Sequence, residues 1–173
     1  MIDFQNDFTP GGALAVPRGD EIAERINELA ADDRFELVLA TRDWHPPDHG
    51  SFEDQGGPWP VHCVQGTEGA ELHPALARAM LDVVVDKGQD PDTEGYSGFE
   101  GTDLERLLRE RGIDKVTIVG LATDYCVKNT ALDAVRAGFD TNVDSSAVRG
   151  VDVQPGDSER ALDELRAAGA TVS

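Results

Sequence analysis

The sequence predicts an α/β domain of three layers, helix on sheet on helix, with a mainly parallel central sheet. Three observations predict it. Short β-branched apolar runs alternate with helical stretches along the whole chain, the pattern of a parallel sheet covered on both faces. The 173 residues suffice for one such domain with a sizeable core and are too few for two ordinary ones, so residues 1–173 read as a single domain. Finally, Asp3, Asp43, Lys87 and Cys126 each fall at the end of a separate apolar run. In such sheets ligand sites lie outside the carboxyl ends of the strands.

Each element has its own signal. Met1 to Gly12 reads as a strand end running into a Pro/Gly loop. Only Met1 and Ile2 precede Asp3, so this first strand is expected to be curtailed, with a loss of core burial. Asp20 to Ala30 carries Ile22, Ile26 and Leu29 on one face and acids in its first turn, a helix signature. Phe35 to Thr41 reads as a strand. Arg42 to Thr67 is a long irregular segment with four prolines, and a loop of that length is usually functional. Pro74 to Leu81 reads as a short helix and Val83 to Lys87 as a strand. Gln89 to Gly101 is polar and Gly-rich, with Tyr96 and Phe99 as its aromatic points. Thr102 to Gly112 has an N-cap Thr and a terminal Gly, so it reads as helix. Val116 to Gly120 is a buried strand that leads through Cys126 into a helix ending at Gly138. Phe139 to Val143 is read as strand, Asp157 to Ala168 as helix, and Ala170 to Ser173 as a last strand.

Composition excludes several functions. The charge balance of 15 − 34 = −19 leaves no basic nucleic-acid footprint and repels anionic membranes. No apolar run is long enough to span a bilayer. The first residues carry acids rather than a basic flank and an apolar stretch, so no signal peptide is expected and a cytoplasmic location is. Cys63 and Cys126 form no disulfide framework. The acid excess suits a host at high salt or one with a GC-rich genome.

Three groups of residues carry chemistry. Cys126 follows a parallel-type strand at a helix start, with Thr123 and Asp124 as N-cap candidates. There the helix dipole and backbone N–H groups are expected to lower the thiol pKa from about 8.5. The logic is that of a nucleophile elbow; the plainer alternative is a small residue packed under the sheet. Asp43, His45 and His49 stand in an Asp-x-His-x-x-x-His spacing, and His62 follows in the same loop. Imidazoles with a carboxylate suit Zn, Fe or Mn, although a surface loop can also collect histidines without binding metal. His73 reads as structural. Lys87 could pair with a carboxylate and stabilise developing negative charge, or could merely mark a strand end. With Asp3 as acid–base, Lys87 as cation and Cys126 as nucleophile, a hydrolytic set is complete.

These residues carry a resemblance. Asp3 to Val16 (DFQNDFTPGGALAV), Thr41 to His49 (TRDWHPPDH), Trp59 to Thr67 (WPVHCVQGT), Lys87-Gly88, Tyr96 to Glu100 and Gly120 to Ala131 (GLATDYCVKNTA) span nearly the whole chain. They resemble the nicotinamidases of the isochorismatase-like cysteine hydrolase superfamily. The DxHxxxH and WPxHC pair is specific to that branch; the triad is common to the wider superfamily. The resemblance implies the isochorismatase-like hydrolase fold, a triad of Asp3, Lys87 and Cys126, and one divalent metal, Zn first, held by Asp43, His45, His49 and His62. It implies a substrate ring between Phe8, Trp59 and Tyr96, and an oxyanion hole of the Ala122 and Cys126 N–H groups with a cis peptide before Ala122. The expected reaction converts nicotinamide to nicotinate and ammonia through a thioester on Cys126, serving NAD salvage, with pyrazinamide as a second substrate. The expected partner is this small molecule, with no nucleic acid and no membrane; a homo-oligomer stays open. The alternatives are a cysteine amidase acting on carbamoyl or ureido compounds, an isochorismatase, or a non-catalytic metal- or thiol-binding relative. The acidic Asp90 to Gly95 segment has no account in these terms.

Overall fold

A computed structural model describes residues 1–173. Five parallel strands are present: β1 (Leu39–Asp43), β2 (Val83–Lys87), β3 (Lys115–Leu121), β4 (Asp140–Arg149) and β5 (Thr171–Val172). The helices are α1 (Ala23–Ala30), α2 (Leu104–Glu110), α3 (Lys128–Arg136) and α4 (Asp157–Ala168). β1 pairs with β2, and β3 with β4 and then β5.

Met1 to Asp3 join the two groups. Thr41 N–H donates to Met1 O at 2.9 Å and Asp3 N–H to Thr41 O at 3.3 Å. On the other side Ile2 N–H donates to Val119 O at 2.7 Å, and Leu121 N–H to Ile2 O at 2.9 Å. The three residues therefore occupy the central strand position, between β1 and β3. The approach is close: a Cβ on Gly120, whose φ is +119°, would stand 2.0 Å from Ile2 O, so only glycine fits there. Beyond Met1 the space between β1 and β3 is a cavity of about 720 Å³, lined by Leu37, Leu39, Leu108, Val116 and Ile118 among others. The Met1 ammonium lies at its edge, donating to Leu39 O at 2.9 Å, and burial lowers its pKa to about 6.

Side-chain alternation along β3 sends Ile118 to one face and Val119 and Leu121 to the other. The first face packs on Leu104, Leu108, Ala131, Ala134 and Leu165 of α2, α3 and α4. The second packs on Ile26 of α1 with Phe4, Phe8, Val16 and Leu72. This gives the expected three layers, and α4 has the expected bounds.

Four elements differ from expectation. β4 continues past Val143 to Arg149, its register with β3 shifting between Ile118 and Gly120. β1 begins at Leu39 rather than Phe35, since residues 35–37 line the cavity and Val38 is held only by Asp82, whose N–H donates to Val38 O at 2.8 Å. Pro74 to Leu81 forms only a 3₁₀ turn at Arg78–Met80, because one isolated turn does not repay helix nucleation. Cys126 lies not on an α-helical turn but in a π-helical turn, Thr123–Val127, closed by Val127 N–H on Ala122 O at 3.1 Å. Neither Thr123 nor Asp124 caps it. The Asp124 carboxylate instead accepts the Val151 and Asp152 N–H groups at 3.0 and 2.8 Å, holding the loop after β4.

Candidate active site

Four strand ends bring the predicted residues to one edge of the sheet. Asp3 follows the central strand with φ +44°, a left-handed conformation that Asp tolerates and that is found at functional positions. Asp43 ends β1, Lys87 ends β2, and Cys126 follows β3. All four are at least nine-tenths buried.

Lys87 is the hub. Its Nζ stands 2.9 Å from Asp3 Oδ2, donates to Asp43 Oδ1 and to Gly95 O at 2.8 Å, and lies 3.6 Å from Cys126 Sγ. Thr41 Oγ1 donates to the other Asp3 oxygen at 2.6 Å. Burial works against the Lys87 charge, but Asp3 and Asp43 outweigh it and hold the ammonium protonated. Burial also works against the Asp43 charge; Lys87 and His45 overcome it, and its pKa falls below the ordinary carboxylate value. Asp3 goes the other way: burial raises it, Lys87 opposes, and the Asp43 charge adds to the rise. Of the two carboxylates Asp3 is therefore the one suited to take up a proton.

The thiol does not follow the sequence expectation. Burial pushes the Cys126 pKa well above its ordinary value, with Lys87 opposing and Asp3 and Asp43 adding to the rise. A helix-start argument cannot see that Cys126 is only 5% exposed and lies beside two carboxylates. The Cys126 thiol is therefore neutral at rest, and any attack by its sulfur would need a base to take the proton. An Asp3 carboxylate oxygen lies within 4.8 Å of the sulfur.

A second group adjoins the first. Ligand atoms of Asp43, His45 and His62 lie within 4.8 Å of one another. His45 Nε2 is 3.4 Å from Asp43 Oδ2, about the separation of two ligands on one ion with bonds of ~2.0–2.1 Å. His45 Nδ1–H donates to Gly88 O at 2.7 Å and His62 Nδ1–H to Pro60 O at 2.8 Å, which leaves both Nε2 lone pairs for a cation. Burial lowers the His62 pKa and keeps the ring neutral. The donor set thus fits a borderline divalent ion such as Zn. His49 stands apart from this group. Its Nδ1 accepts Ser51 N–H at 3.2 Å and meets Ser51 Oγ at 2.8 Å. Burial lowers its pKa to about 4.

Of the three predicted ring-binding residues, Phe8 is buried with its ring 5.6 Å from that of His62. Trp59 Nε1–H donates to the Tyr96 hydroxyl at 2.9 Å. Tyr125, which the sequence reading did not single out, joins them at 4.9 Å from Trp59, edge-on, and 5.6 Å from Tyr96. Its place beside Cys126 was the available signal. Gln5 was missed as well. Its side chain brackets the Asp43 backbone, accepting Asp43 N–H and donating to Asp43 O, each at 2.8 Å. The Leu121–Ala122 peptide is cis.

The whole chain, residues 1–173, matches the model of the isochorismatase domain. It is 44% identical to the nicotinamidase of Escherichia coli K12 over 195 aligned positions, covering 99% of this chain and 92% of that protein. Among solved structures it is similar to a Pyrococcus horikoshii pyrazinamidase in complex with zinc, at 47% identity and TM-score 0.90, over 100% of this chain and 96% of that one. It also resembles an L. infantum protein in complex with nicotinate, at 36% identity and TM-score 0.95, over 100% of this chain and 89% of that one. On these matches, and on a fold and strand-end site of the expected kind, the chain belongs to the isochorismatase domain family.

Proposed function

We propose that the protein is a metal-containing cysteine amidohydrolase that converts nicotinamide to nicotinate and ammonia and also hydrolyses pyrazinamide. The observation that carries this is the junction of the two groups: Asp43 belongs to the histidine cluster and is paired with Lys87, which touches Cys126. A ring nitrogen held at one group would present its amide to the other. The relatives support the substrate class, being a nicotinamidase, a zinc-bound pyrazinamidase and a nicotinate complex.

Asp43, His45 and His62 would hold the metal, with Zn the first choice. Bound there, the ion supplies a Lewis-acid anchor for the ring nitrogen, which orients the substrate. The chain does the rest. Phe8, Trp59 and Tyr96 flank the flat ring, and Tyr125 closes on Trp59. Asp3 takes the thiol proton as Cys126 Sγ bonds to the amide carbon. The oxyanion forms beside the Ala122 and Cys126 N–H groups. Asp3 returns the proton to the amide nitrogen, the C–N bond breaks, and ammonia leaves a thioester. Water then adds to the thioester carbon as Asp3 takes its proton. The C–S bond breaks, nicotinic acid departs, and the proton on Asp3 restores the thiol. Throughout, Lys87 balances the negative charge passing between sulfur and carboxylate.

Such a reaction feeds nicotinate into NAD salvage, and the unpaired cysteines suit a reducing cytoplasm. Ammonia release from nicotinamide, with and without chelator, tests the reading. The expected result is release that falls on chelation and returns with metal. No release by metal-loaded protein overturns it, and hydrolysis of ureido compounds alone would favour the carbamoyl amidase alternative.

A further inference from the structure

The reaction written above asks Asp3 to take a proton and return it twice, so its carboxylate must keep one orientation. The Asp3 backbone is a poor guarantee of that. Its φ of +44° is a conformation that residues other than glycine rarely hold, and the residue is wholly buried at the end of the central strand. Such a conformation persists only where the surroundings over-determine it.

Thr41 of β1 meets Asp3 at two points. Its Oγ1 accepts the Asp3 N–H at 3.3 Å and donates to Asp3 Oδ1 at 2.6 Å. The two bonds use the hydroxyl in complementary ways. A backbone N–H can only donate, so it takes a lone pair of Oγ1, and the single hydroxyl proton is left for the carboxylate. The ring of bonds so closed ties the Asp3 side chain to its own backbone. It leaves Oδ2 at 2.9 Å from Lys87 Nζ, and a carboxylate oxygen of Asp3 within 4.8 Å of Cys126 Sγ.

Thr41 is itself locked. It is 0% exposed, and a β-branched side chain has few choices at χ1. Its N–H donates to Met1 O at 2.9 Å, and its Cγ2 lies against Gly98, where a Cβ would stand 3.1 Å from it. With the methyl group on Gly98, the hydroxyl is directed at Asp3. Strand pairing does not require a hydroxyl here, and Oγ1 bonds to no residue other than Asp3. A buried polar group with one partner points to what that partner does.

We propose that Thr41 is a positioning residue for Asp3: its hydroxyl clamps the Asp3 N–H and one carboxylate oxygen, which turns the other oxygen to Lys87 and fixes the carboxylate for proton transfer with Cys126. The inference rests on the cysteine-hydrolase reading above and adds to Asp3, Lys87 and Cys126 a group that acts only through Asp3.

Two substitutions separate the hydroxyl from the shape of the residue. Thr41→Val keeps the shape but places a carbon where Oγ1 stood 2.6 Å from Oδ1, so the carboxylate must move away. Thr41→Ser keeps the hydroxyl and gives up the methyl group against Gly98. In zinc-loaded protein Thr41→Val is expected to lower kcat for nicotinamide on the order of 10²-fold, the cost of misplacing a reacting group by about 1 Å. KM and metal content are expected to stay unchanged, because the lost group holds neither the ring nor the ion. Thr41→Ser is expected to keep most of the rate. Thr41→Val at the unaltered rate, or Thr41→Ser as slow as Thr41→Val, overturns the proposal. Thr41→Ser and Thr41→Ala differ by the hydroxyl alone and give the same comparison if Thr41→Val disturbs the fold; equal rates for that pair overturn it.

The thiol supplies a readout that needs no substrate. Alkylation of Cys126 by iodoacetamide, followed by mass spectrometry of the peptide that carries it, is expected to be slower in Thr41→Val than in Thr41→Ser and the unaltered protein. Equal alkylation in all three overturns the clamp. An unaltered protein that is alkylated at Cys126 but releases no ammonia from nicotinamide defeats the substrate reading, and the alkylation rates then decide the role of Thr41.

Discussion

Asp43 and Lys87 stand opposite each other in the β1–β2 register and form an ion pair at the ends of the two strands. Both are buried, and Asp3 completes the pair from the central strand. Through this pair the Lys87 ammonium touches the histidine group's carboxylate, and the Asp43 charge acts on Asp3 and Cys126 as well, so a charge change in one centre is felt in the other.

Replacing Lys87 removes a cation that two buried carboxylates depend on. Lys87→Met is expected to abolish turnover and to destabilise the fold by about 3–5 kcal/mol, the cost of leaving buried charge unpaired. Adding Asp3→Asn should recover part of the stability and none of the activity. Urea unfolding of the three proteins checks this; equal stability for single and double variants would show that Asp3 draws nothing from Lys87.

Gly88 has φ +63°, and a Cβ there would stand 2.5 Å from His45 Cε1. Gly88→Ala should therefore push the imidazole away from Asp43 and strain the backbone, at a cost of about 1–3 kcal/mol. The expected outcome is weakened metal retention with secondary structure intact. Metal analysis after gel filtration, beside circular dichroism, decides it, and full retention would refute the contact.

The buried histidines make the metal-free protein acid-sensitive. Burial lowers the His62 pKa and takes that of His49 to about 4, below the unfolded value of about 6.5. Groups lowered by folding contribute stability that is present above the unfolded pKa and lost as pH falls through the folded one. Stability of metal-free protein should fall between pH ~6.5 and ~4. The slope should be shallower in His49→Gln, and matching slopes from denaturant titrations at several pH values would count against it.

The alternation of elements, the strand-end residues and the three-layer fold were legible because period-two and helical patterns report burial directly. The start of β1 was not, since Phe35 to Leu37 carry strand-forming residues but line the cavity instead of pairing with a neighbouring strand. The convergence of Asp3, Lys87 and Cys126 could be anticipated from their places at strand ends. The sign of the Cys126 shift could not: it depends on how deeply the sulfur sits and on carboxylates brought in from residues 3 and 43. Spacing grouped His49 with His45, but no spacing records that Ser51 turns its N–H toward the ring. Tyr125 was hidden next to the residue that drew attention.

Asp43 and His45 are two positions apart, and Lys87 and Gly88 are consecutive. In each short run one residue serves the sulfur centre and another the histidine cluster, through Lys87 on Asp43 and Gly88 O on His45. Loss or gain of a single codon at either place would turn one partner away from each centre at once. A change in the length of either run would therefore disturb both centres together, whereas a substitution can alter one and leave the other in place.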